Sequence, residues 1–336
     1  MGASGRRAPR RRQRGVALII ALILVALATI LATKLTFDGF LERRRTMGVL
    51  AAEQALHFGM GAEALAADVL LQDSQNTKQT TLAGLWAQPT QPFPITPQED
   101  PEGEPIGSLQ GTLEDMQGRF NLNSLGHMIT DTRLQVPVQD PQPLEQFQRL
   151  LAAVGVEPKW AAIARDWIDA DDNPGSPDGA EDQVYTSQTP PYRTGNWPMM
   201  SASELMNLPG FGADRYRKIA PYVTALPTAV PFINICTAAG VVLESLGDNL
   251  DGEYSRNPEI LSNGRKTGCF PDLATFRNIL GPTALPKVAT VIVDKSSFFR
   301  LTTRVTLGTT EFTLYSLLQR GGSGKITPLL RTFGTT

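Results

Sequence analysis

The chain has 336 residues, 41% hydrophobic and 19% charged, which excludes disorder along its whole length. Two histidines, His57 and His127, and two cysteines without a CxxC pair exclude multi-histidine and cysteine-rich metal centres. The net charge is −2, but six arginines lie in the first 15 residues, so the remainder of the chain has a net charge of −8. This acidic remainder argues against general nucleic-acid binding.

An apolar segment without charges, residues 16–33, follows the arginine-rich start of the chain. As a helix it spans roughly 27 Å, enough for the hydrocarbon core of a bilayer. The arginines before it predict a cytoplasmic start and an exported remainder. A cleaved secretory signal peptide and a plain signal anchor are the alternatives for this segment.

The helix is expected to continue, because no proline interrupts the chain from Lys34 to about Leu71. Apolar residues recur here at spacings of three and four, which predicts one helical face packed on a domain. The residues of this face are Ala51, Ala55, Phe58, Ala62, Leu65 and Val69.

The start of the chain resembles type IV pilin-like proteins in its basic leader ending at Gly15, its apolar helix and the segment AAEQALHFGMGAEALAADVLLQD. The later motifs DMQGRFNLNSL and DWID…GAED narrow the resemblance to the general secretion pathway protein K family, the large minor pseudopilins of type II secretion systems. It implies that a prepilin peptidase cuts after Gly15 and methylates Val16. Most pilins have Phe at the position of Val16 and Glu at that of Ile20; the protein K family also lacks this Glu.

The resemblance implies an α+β, type IV pilin-like fold: a long N-terminal helix and an antiparallel sheet, with a large, mainly α-helical inserted domain of sterile-alpha-motif-like hairpins. Strand-like patterns before about 123 and after about 288, the latter turning at Gly308, indicate a sheet split by that insertion. The predicted parts are the prepilin leader 1–15, the transmembrane helix 16–33, the pilin-like helix and first strands 34–123, the inserted domain 124–287 and the C-terminal strands 288–336.

An acidic loop, DADDNPGSPDGAED from Asp169 to Asp182, holds six carboxylates in 14 residues. Ca²⁺ takes six to eight oxygen ligands from flexible loops, although Pro174 excludes an EF-hand here. A solvated acidic loop is the alternative. The motif resembles the calcium loop of the protein K family, which implies a structural Ca²⁺ held by Asp169, Asp171, Asn173, Asp178, Glu181 and Asp182.

The segment LMNLPGFGADRYRKI resembles a helix–hairpin–helix element, which in some proteins offers backbone N–H groups to DNA phosphates. Arg215, Arg217 and Lys218 lie next to it. A membrane-anchored DNA-binding or DNA-uptake protein is therefore the alternative function. The acidic remainder of the chain argues against it, and the inserted domain of the protein K family carries similar hairpins with no known need for DNA.

Export places Cys236 and Cys269 in an oxidising compartment and favours a disulfide, which the loop-entropy model values at roughly 3–4 kcal/mol. Two buried free thiols are the alternative. The four tryptophans, Trp86, Trp160, Trp167 and Trp197, are expected in the core. No G-x-S-x-G, Walker A or GxGxxG motif occurs, so we expect no enzyme.

The resemblance implies a single-pass protein of the bacterial inner membrane with its C-terminal domain in the periplasm. It would cap the tip of the pseudopilus, assemble with the minor pseudopilins I and J to initiate the pseudopilus, and support protein export across the outer membrane. We expect Phe58, Leu65 and Val69 on the long helix to contact these partners, and no nucleic acid to bind.

Overall fold

The structure is a computed structural model that describes residues 14–334, apart from residues 98, 99, 101, 132, 134, 248, 249, 251, 309 and 323. It divides into two compact units, Met1–Ala55 and Leu56–Thr336. Residues 1–13 of the predicted leader and the last two residues of the predicted C-terminal part lie outside the described residues. The finer boundaries that the sequence predicts stay predictions.

Helix α1, Arg14–Asn76, contains both the apolar segment and the proline-free stretch, and it ends slightly later than predicted. Residues 16–50 are exposed, and the helix is long and apolar enough to cross a membrane. The hydroxyls of Thr29 and Thr33 each donate to the carbonyl four residues earlier, so these polar groups are satisfied within the apolar helix.

The remaining α-helices lie in the middle of the chain. They are α2 Pro141–Ala153, α3 Trp160–Asp166, α4 Asp182–Thr186, α5 Gly212–Ile219, α6 Gly240–Glu244, α7 Glu253–Arg256, α8 Pro258–Gly264 and α9 Leu273–Val288, which is kinked at Gly281. Aspartates cap two of them: Asp140 accepts from an N–H of α2, and Asp272 from one of α9. Ser201 and Glu204 form a capping box at the start of a 3₁₀-helix, Ala202–Asn207.

The described strands are β1 Phe93–Ile95, β2 Gly107–Asp115, β3 Phe120–Asn121, β4 Met128–Thr130, β5 Pro137–Gln139, β6 Val223–Thr224, β7 Ile233–Asn234, β8 Ile292–Val293, β9 Phe298–Leu307, β10 Thr310–Arg320 and β11 Ile326–Phe333. In the described part of the chain, five of them form an antiparallel sheet in the order β1-β2-β9-β10-β11. Strand β2 pairs with β9, from Gly107 opposite Leu307 to Asp115 opposite Phe299. The predicted split sheet is therefore confirmed, with the hairpin turn at Gly308.

Each side of this split has an apolar core, and a smaller buried cluster of Met116, Leu226 and Phe298 lies between the two regions. The helical region, residues 120–292, has its own core, in which Phe120 stacks on Phe147 with ring centroids 5.0 Å apart. The sheet region, residues 56–118 and 296–334, packs α1 against the sheet, and Trp86 meets Phe299 edge to face at 5.4 Å. The insertion is thus a packed body and not an extended loop.

One buried carboxylate joins the two regions. Asp115, at the end of β2, accepts hydrogen bonds from the Thr237 and Ser296 hydroxyls, both at 2.6 Å, and from the Asn234 amide at 2.9 Å. Burial raises the pKa of Asp115, although these hydrogen bonds oppose the rise. The junction is therefore a satisfied polar network, which fixes the helical region against the sheet.

The face of α1 that packs on the sheet differs from the predicted one. Leu65 is 65% exposed and Phe58 is 36% exposed, so the expectation that they pack on the body of the protein is wrong. Ala55 and Ala62 of the predicted face are buried, but the other buried positions are Gly59, Glu63, Ala66, Leu70 and Asp73. A Cβ atom at Gly59 would lie 2.8 Å from Leu314 Cδ2, so small residues let the sheet approach closely.

Glu63, one of the buried acids of α1, is 5% exposed and ion-paired with the last strand. Its carboxylate accepts hydrogen bonds from Arg331 Nε at 2.8 Å and Nη2 at 2.7 Å, and from the Ser316 hydroxyl. Burial opposes ionisation, but these hydrogen bonds and the charge of Arg331 outweigh it, so the pKa of Glu63 is lowered.

We expect Glu63→Gln to destabilise the soluble part by about 2–3 kcal/mol at pH 7, because Arg331 loses its bidentate charged partner. Because the pKa of Glu63 is lower in the folded protein than in the unfolded chain, where it is near 4.5, its ionisation stabilises the folded state above pH 4.5. This stabilisation is lost as the pH falls through the pKa of the folded state. Urea unfolding should therefore show a deficit that shrinks below about pH 4.5. Asp68→Asn, an exposed change on the same helix, is the control. A deficit of equal size at pH 4 and pH 7 would contradict the ion pair.

Candidate functional site

The acidic loop, residues 169–182, connects α3 to α4 and folds around a buried aspartate. Asp166, at the end of α3, accepts 2.9 Å hydrogen bonds at Oδ2 from the N–H groups of Gly175 and Ala180. A Cβ atom at Gly179 would lie 2.2 Å from the same oxygen, so the loop requires glycine at this close approach. Asp166 thus shapes the loop from the inside.

Three of the predicted ligands come together inside this loop. Asp169, Asp171 and Glu181 each bring one oxygen within 4.8 Å of the other two. Glu181 is 5% exposed, and among the described residues neither of its oxygens, nor Asp169 Oδ1, has a hydrogen-bond partner. Buried oxygens without donors on Asp169 and Glu181, together with the nearby exposed carboxylate of Asp171, fit a hard divalent cation.

The electrostatics of the cluster reflect burial and mutual repulsion. Burial, and then the charges of Asp166 and the other loop carboxylates, raise the pKa of Glu181 to about 7. The same causes raise the pKa of Asp169 to about 6. Holding all these groups ionised at neutral pH is costly, and a bound cation would remove that cost.

The other predicted ligands lie differently. Asn173 donates both its backbone N–H and its side-chain amide N–H to Asp171 Oδ1, and these hydrogen bonds orient that carboxylate. Asp178 is exposed, outside the group of three. Asp182 accepts from the backbone and hydroxyl of Thr194 and pairs with Arg193 at 3.2 Å. A ligand role for these three residues stays a prediction.

Asp166 also lines this loop, although it is not among the residues predicted for the site. One of its oxygens, Oδ1, is also buried and without a hydrogen-bond partner among the described residues, and burial raises its pKa. The signal was present, because Asp166 is the first residue of the DWID motif. Periodicity alone could not show that its side chain turns into the loop.

The helix–hairpin–helix segment has the expected backbone, with Gly210 and Gly212 at φ of 86° and 73°. Its basic side chains are engaged within the protein. Arg215 binds both oxygens of Glu157, at 2.7 and 2.8 Å, and Lys218 donates to the Gly155 carbonyl. Arg217, the third cation near the hairpin, pairs with Asp214. Each of these three cations thus has a partner within the protein.

Cys236 and Cys269 are joined by a disulfide that closes a separation of 33 positions. Cys236 is fully buried in the core of the helical region, two residues after the end of β7, and Cys269 lies between α8 and α9. The bond therefore ties the last helices of this region to its centre.

Comparison with known proteins decides the family. A family profile described as "Type II secretion system (T2SS), protein K" matches residues 118–228. The chain is 33% identical over 333 residues to Type II secretion system protein K of Pectobacterium carotovorum subsp. carotovorum, covering 97% of this chain and 98% of the relative. The chain belongs to the type II secretion system protein K family.

Further members of the protein K family agree with this assignment. The protein K of Pseudomonas aeruginosa is 33% identical over 335 residues, covering 97% of this chain and 94% of that relative. The crystal structure of the GspK–GspI–GspJ complex from enterotoxigenic Escherichia coli matches with a TM-score of 0.73 and 27% identity, covering 87% of this chain and 100% of that chain. The predicted family, pilin-like fold and role as a minor pseudopilin are confirmed.

In this protein K family member, the predicted partner face on α1 is largely free. Phe58 and Leu65 lie seven positions apart, on one side of the helix, and both are exposed. Val69 is half-buried and packs against the core of the sheet region. Phe58 and Leu65 are therefore available for contacts with other proteins, whereas Val69 also serves the fold.

Proposed function

We propose that this chain caps the tip of the pseudopilus, where it assembles with the minor pseudopilins I and J to initiate the filament and support protein export across the outer membrane. The match to a GspK chain that was solved in complex with GspI and GspJ carries this proposal. The role is assembly and contact, without catalysis.

Two features support the position at the tip. The helical region is inserted between β2 and β9 of the pilin-like sheet and adds a bulky body that a subunit stacked above would meet. Ile20 replaces the glutamate that in most pilins pairs with a neighbouring N-terminus. A subunit without a neighbour above has less need of that charge, which would be costly in lipid.

We propose that α1 anchors the chain in the inner membrane as a single span, after a prepilin peptidase has cut between Gly15 and Val16. The six arginines before the apolar segment favour a cytoplasmic start and a periplasmic C-terminal domain. The disulfide between Cys236 and Cys269 is consistent with an oxidising compartment.

The partner proposal is tested with the soluble part of the chain, from residue 41 onward, and the soluble parts of pseudopilins I and J. We expect Phe58→Asn with Leu65→Asn to weaken the complex about tenfold or more, because both side chains would lose apolar burial of roughly 25 cal/mol per Å². Calorimetric titration gives the affinity, and circular dichroism shows that the variant is folded. Val69 is left unchanged because it packs on the core.

The matched control is Leu85→Asn, since Leu85 is 64% exposed, as Leu65 is, but lies off the helix. Equal affinities for all variants would refute the helix face as the interface. Submicromolar DNA binding at physiological salt that is lost in Arg215→Gln with Lys218→Gln, without any I–J complex, would instead favour the DNA-uptake alternative.

We also propose that the acidic loop holds a structural Ca²⁺, bound by Asp169, Asp171 and Glu181. The buried oxygens without donors support this proposal, because each would gain a partner when the cation binds. Asn173, Asp178, Asp182 and backbone carbonyls are the sources of further oxygens. The ion would supply positive charge that holds the loop together, and no step of a reaction depends on it.

A further inference from the structure

Arg265, the residue that follows α8, is a buried cation in the helical region. Its side chain is only 5% exposed. Burial lowers the pKa of Arg265 to about 10, so the guanidinium is still charged at neutral pH. A buried charge is costly unless its N–H groups find acceptors. For Arg265 these acceptors are two backbone carbonyls, one in each of the two segments that the disulfide joins.

The two carbonyls that bind Arg265 belong to the chain neighbours of the bonded cysteines. Nε donates to the carbonyl of Phe270 at 2.8 Å, and Nη2 donates to the carbonyl of Ile235 at 2.7 Å. Phe270 directly follows Cys269, and Ile235 directly precedes Cys236. One planar guanidinium thus bridges the same two segments as the disulfide, and it does so without using either sulfur atom.

The two cysteines differ in how firmly the rest of the protein holds them. Cys236 is fully buried, and its N–H donates to Asn234 Oδ1 at 3.0 Å, within the polar network that joins the two regions. Cys269 is half-buried and lies in a turn, residues 267–271. In the described part of the chain, no hydrogen bond between two backbone groups involves this turn. The turn is therefore attached to the segment of Cys236 chiefly through Arg265 and the disulfide itself.

We propose that Arg265 is a positioning residue for the disulfide: it holds Cys269 opposite Cys236 when the sulfur atoms are not bonded, so that the bond forms readily and resists reduction. The guanidinium keeps both carbonyls after reduction, because neither hydrogen bond involves a sulfur atom. The two thiols of the folded, reduced chain therefore stay at a high effective concentration. This favours the bond between the two cysteines over a mixed disulfide with a small thiol.

Burial also sets the order of the exchange reaction. A small disulfide such as oxidised glutathione reaches the half-buried Cys269 but not the fully buried Cys236. The Cys269 thiolate attacks this oxidant, forms a mixed disulfide with one glutathione and releases the other as a thiolate. The Cys236 thiolate then attacks the Cys269 sulfur and displaces the second glutathione. The protein loses two electrons and two thiol protons, and the two released glutathiones take up both.

The test uses the full chain in detergent micelles, equilibrated with mixtures of reduced and oxidised glutathione. Acid quenching and mass spectrometry give the fractions of reduced, mixed-disulfide and bonded protein. Arg265→Met keeps the apolar stem but removes the donors, so it should lower the equilibrium constant for the disulfide at least about tenfold and accumulate the mixed disulfide. Arg265→Lys keeps the charge but lacks the two-armed fork, so it should resemble Arg265→Met, and it carries the comparison if the methionine variant does not fold.

The control for lost stability is Phe211→Leu, which removes an aromatic contact with Trp160 in the same core and should leave the equilibrium constant unchanged. Single-cysteine variants test the order of exchange. Cys236→Ser should form a stable glutathione adduct at Cys269, and Cys269→Ser should be modified at Cys236 at least about tenfold more slowly.

An unchanged constant in folded Arg265→Met would overturn the proposal, and so would an equal loss in Phe211→Leu, which would assign the effect to general stability. A wild-type constant in Arg265→Lys would assign it to the charge and overturn the bridge between the two carbonyls. Faster modification of Cys236 than of Cys269 would overturn the order of exchange.

Discussion

Chelation of Ca²⁺ should lower the melting temperature of the soluble part of this chain, and added Ca²⁺ should restore it. A ligand that binds only the folded state stabilises it by RT ln(1 + [L]/Kd), which is about 2.7 kcal/mol at 100 times Kd and about 4.1 kcal/mol at 1,000 times Kd. The physical reason is the set of buried carboxylate oxygens on Asp169 and Glu181 that lack donors among the described residues. Scanning calorimetry with and without chelator measures the shift.

Isosteric variants separate the cation from other causes. Asp171→Asn with Glu181→Gln should abolish the response to Ca²⁺ and should also make the chelated protein more stable than the chelated wild type, because two mutually repelling charges disappear. Glu259→Gln, a change at an exposed acid on α8, is the control and should leave the response intact. A melting curve that is identical with and without chelator would refute the calcium proposal.

The chelated protein should also lose stability as pH rises. Both Glu181 and Asp169 have raised pKa values in the folded state, about 7 and about 6, above unfolded values near 4.5 and 3.8. An acid of this kind stabilises the folded state fully below its pKa in the unfolded chain, because the folded state binds the proton more tightly. That stabilisation is lost as the pH rises through the pKa of the folded state. The loss should therefore run from about pH 4 to pH 7.5, and saturating Ca²⁺ should reduce it.

The second large effect concerns maturation: Gly15→Val should leave the chain as an unprocessed precursor. The Gly15–Val16 junction lies in the first turn of α1, which begins at Arg14. Glycine weakens a helix by about 1 kcal/mol relative to alanine and has no Cβ, so it would let the proposed peptidase open this turn and approach the backbone. The branched side chain of valine would hinder both the opening of the turn and the approach to the backbone. Mass spectrometry of the purified protein should then show the intact leader.

Gly5→Val, which places the same side chain inside the leader, is the matched control and should be processed normally. In the wild type the mature chain should start at a methylated Val16. An intact leader on the wild-type protein, in a host with active prepilin peptidase, would contradict the processing proposal and return the segment to a plain signal anchor.

Local sequence patterns predicted an element correctly wherever the periodicity of apolar residues matches the residues that are buried in the structure. The strands β9 and β10 are rich in β-branched and aromatic residues and were predicted with their turn, whereas β11 was not. Its segment contains Pro328, which argues against a central strand but is tolerated at a sheet edge beside the irregular register near Leu317. The α1 face was misassigned because periodicity counts Glu63 as polar, although Arg331 allows its burial.

The position of the candidate site in the sequence was predictable, but the orientation of its carboxylates was not. Six acids in a short loop identify the acidic loop, but the sequence does not say which carboxylates turn inward. That choice depends on glycine contacts around Asp166 and on hydrogen bonds that draw Asp182 to Thr194. The expectation that Trp197 lies in the core is wrong, because Trp197 is 72% exposed, and residue type alone does not distinguish an exposed tryptophan from one that fills a core.

The ion pair between Glu63 and Arg331 spans 268 positions of the chain, so the proposed export of the C-terminal domain would impose an order on its folding. Most of the sheet that covers Leu70 on α1, namely β9, β10 and β11, comes from the last part of the sequence. Under the proposed periplasmic location, the end of α1 would therefore remain uncovered until almost the entire polypeptide had crossed the membrane. The helical region, with its own core and disulfide, would emerge earlier and fold while the sheet was still incomplete.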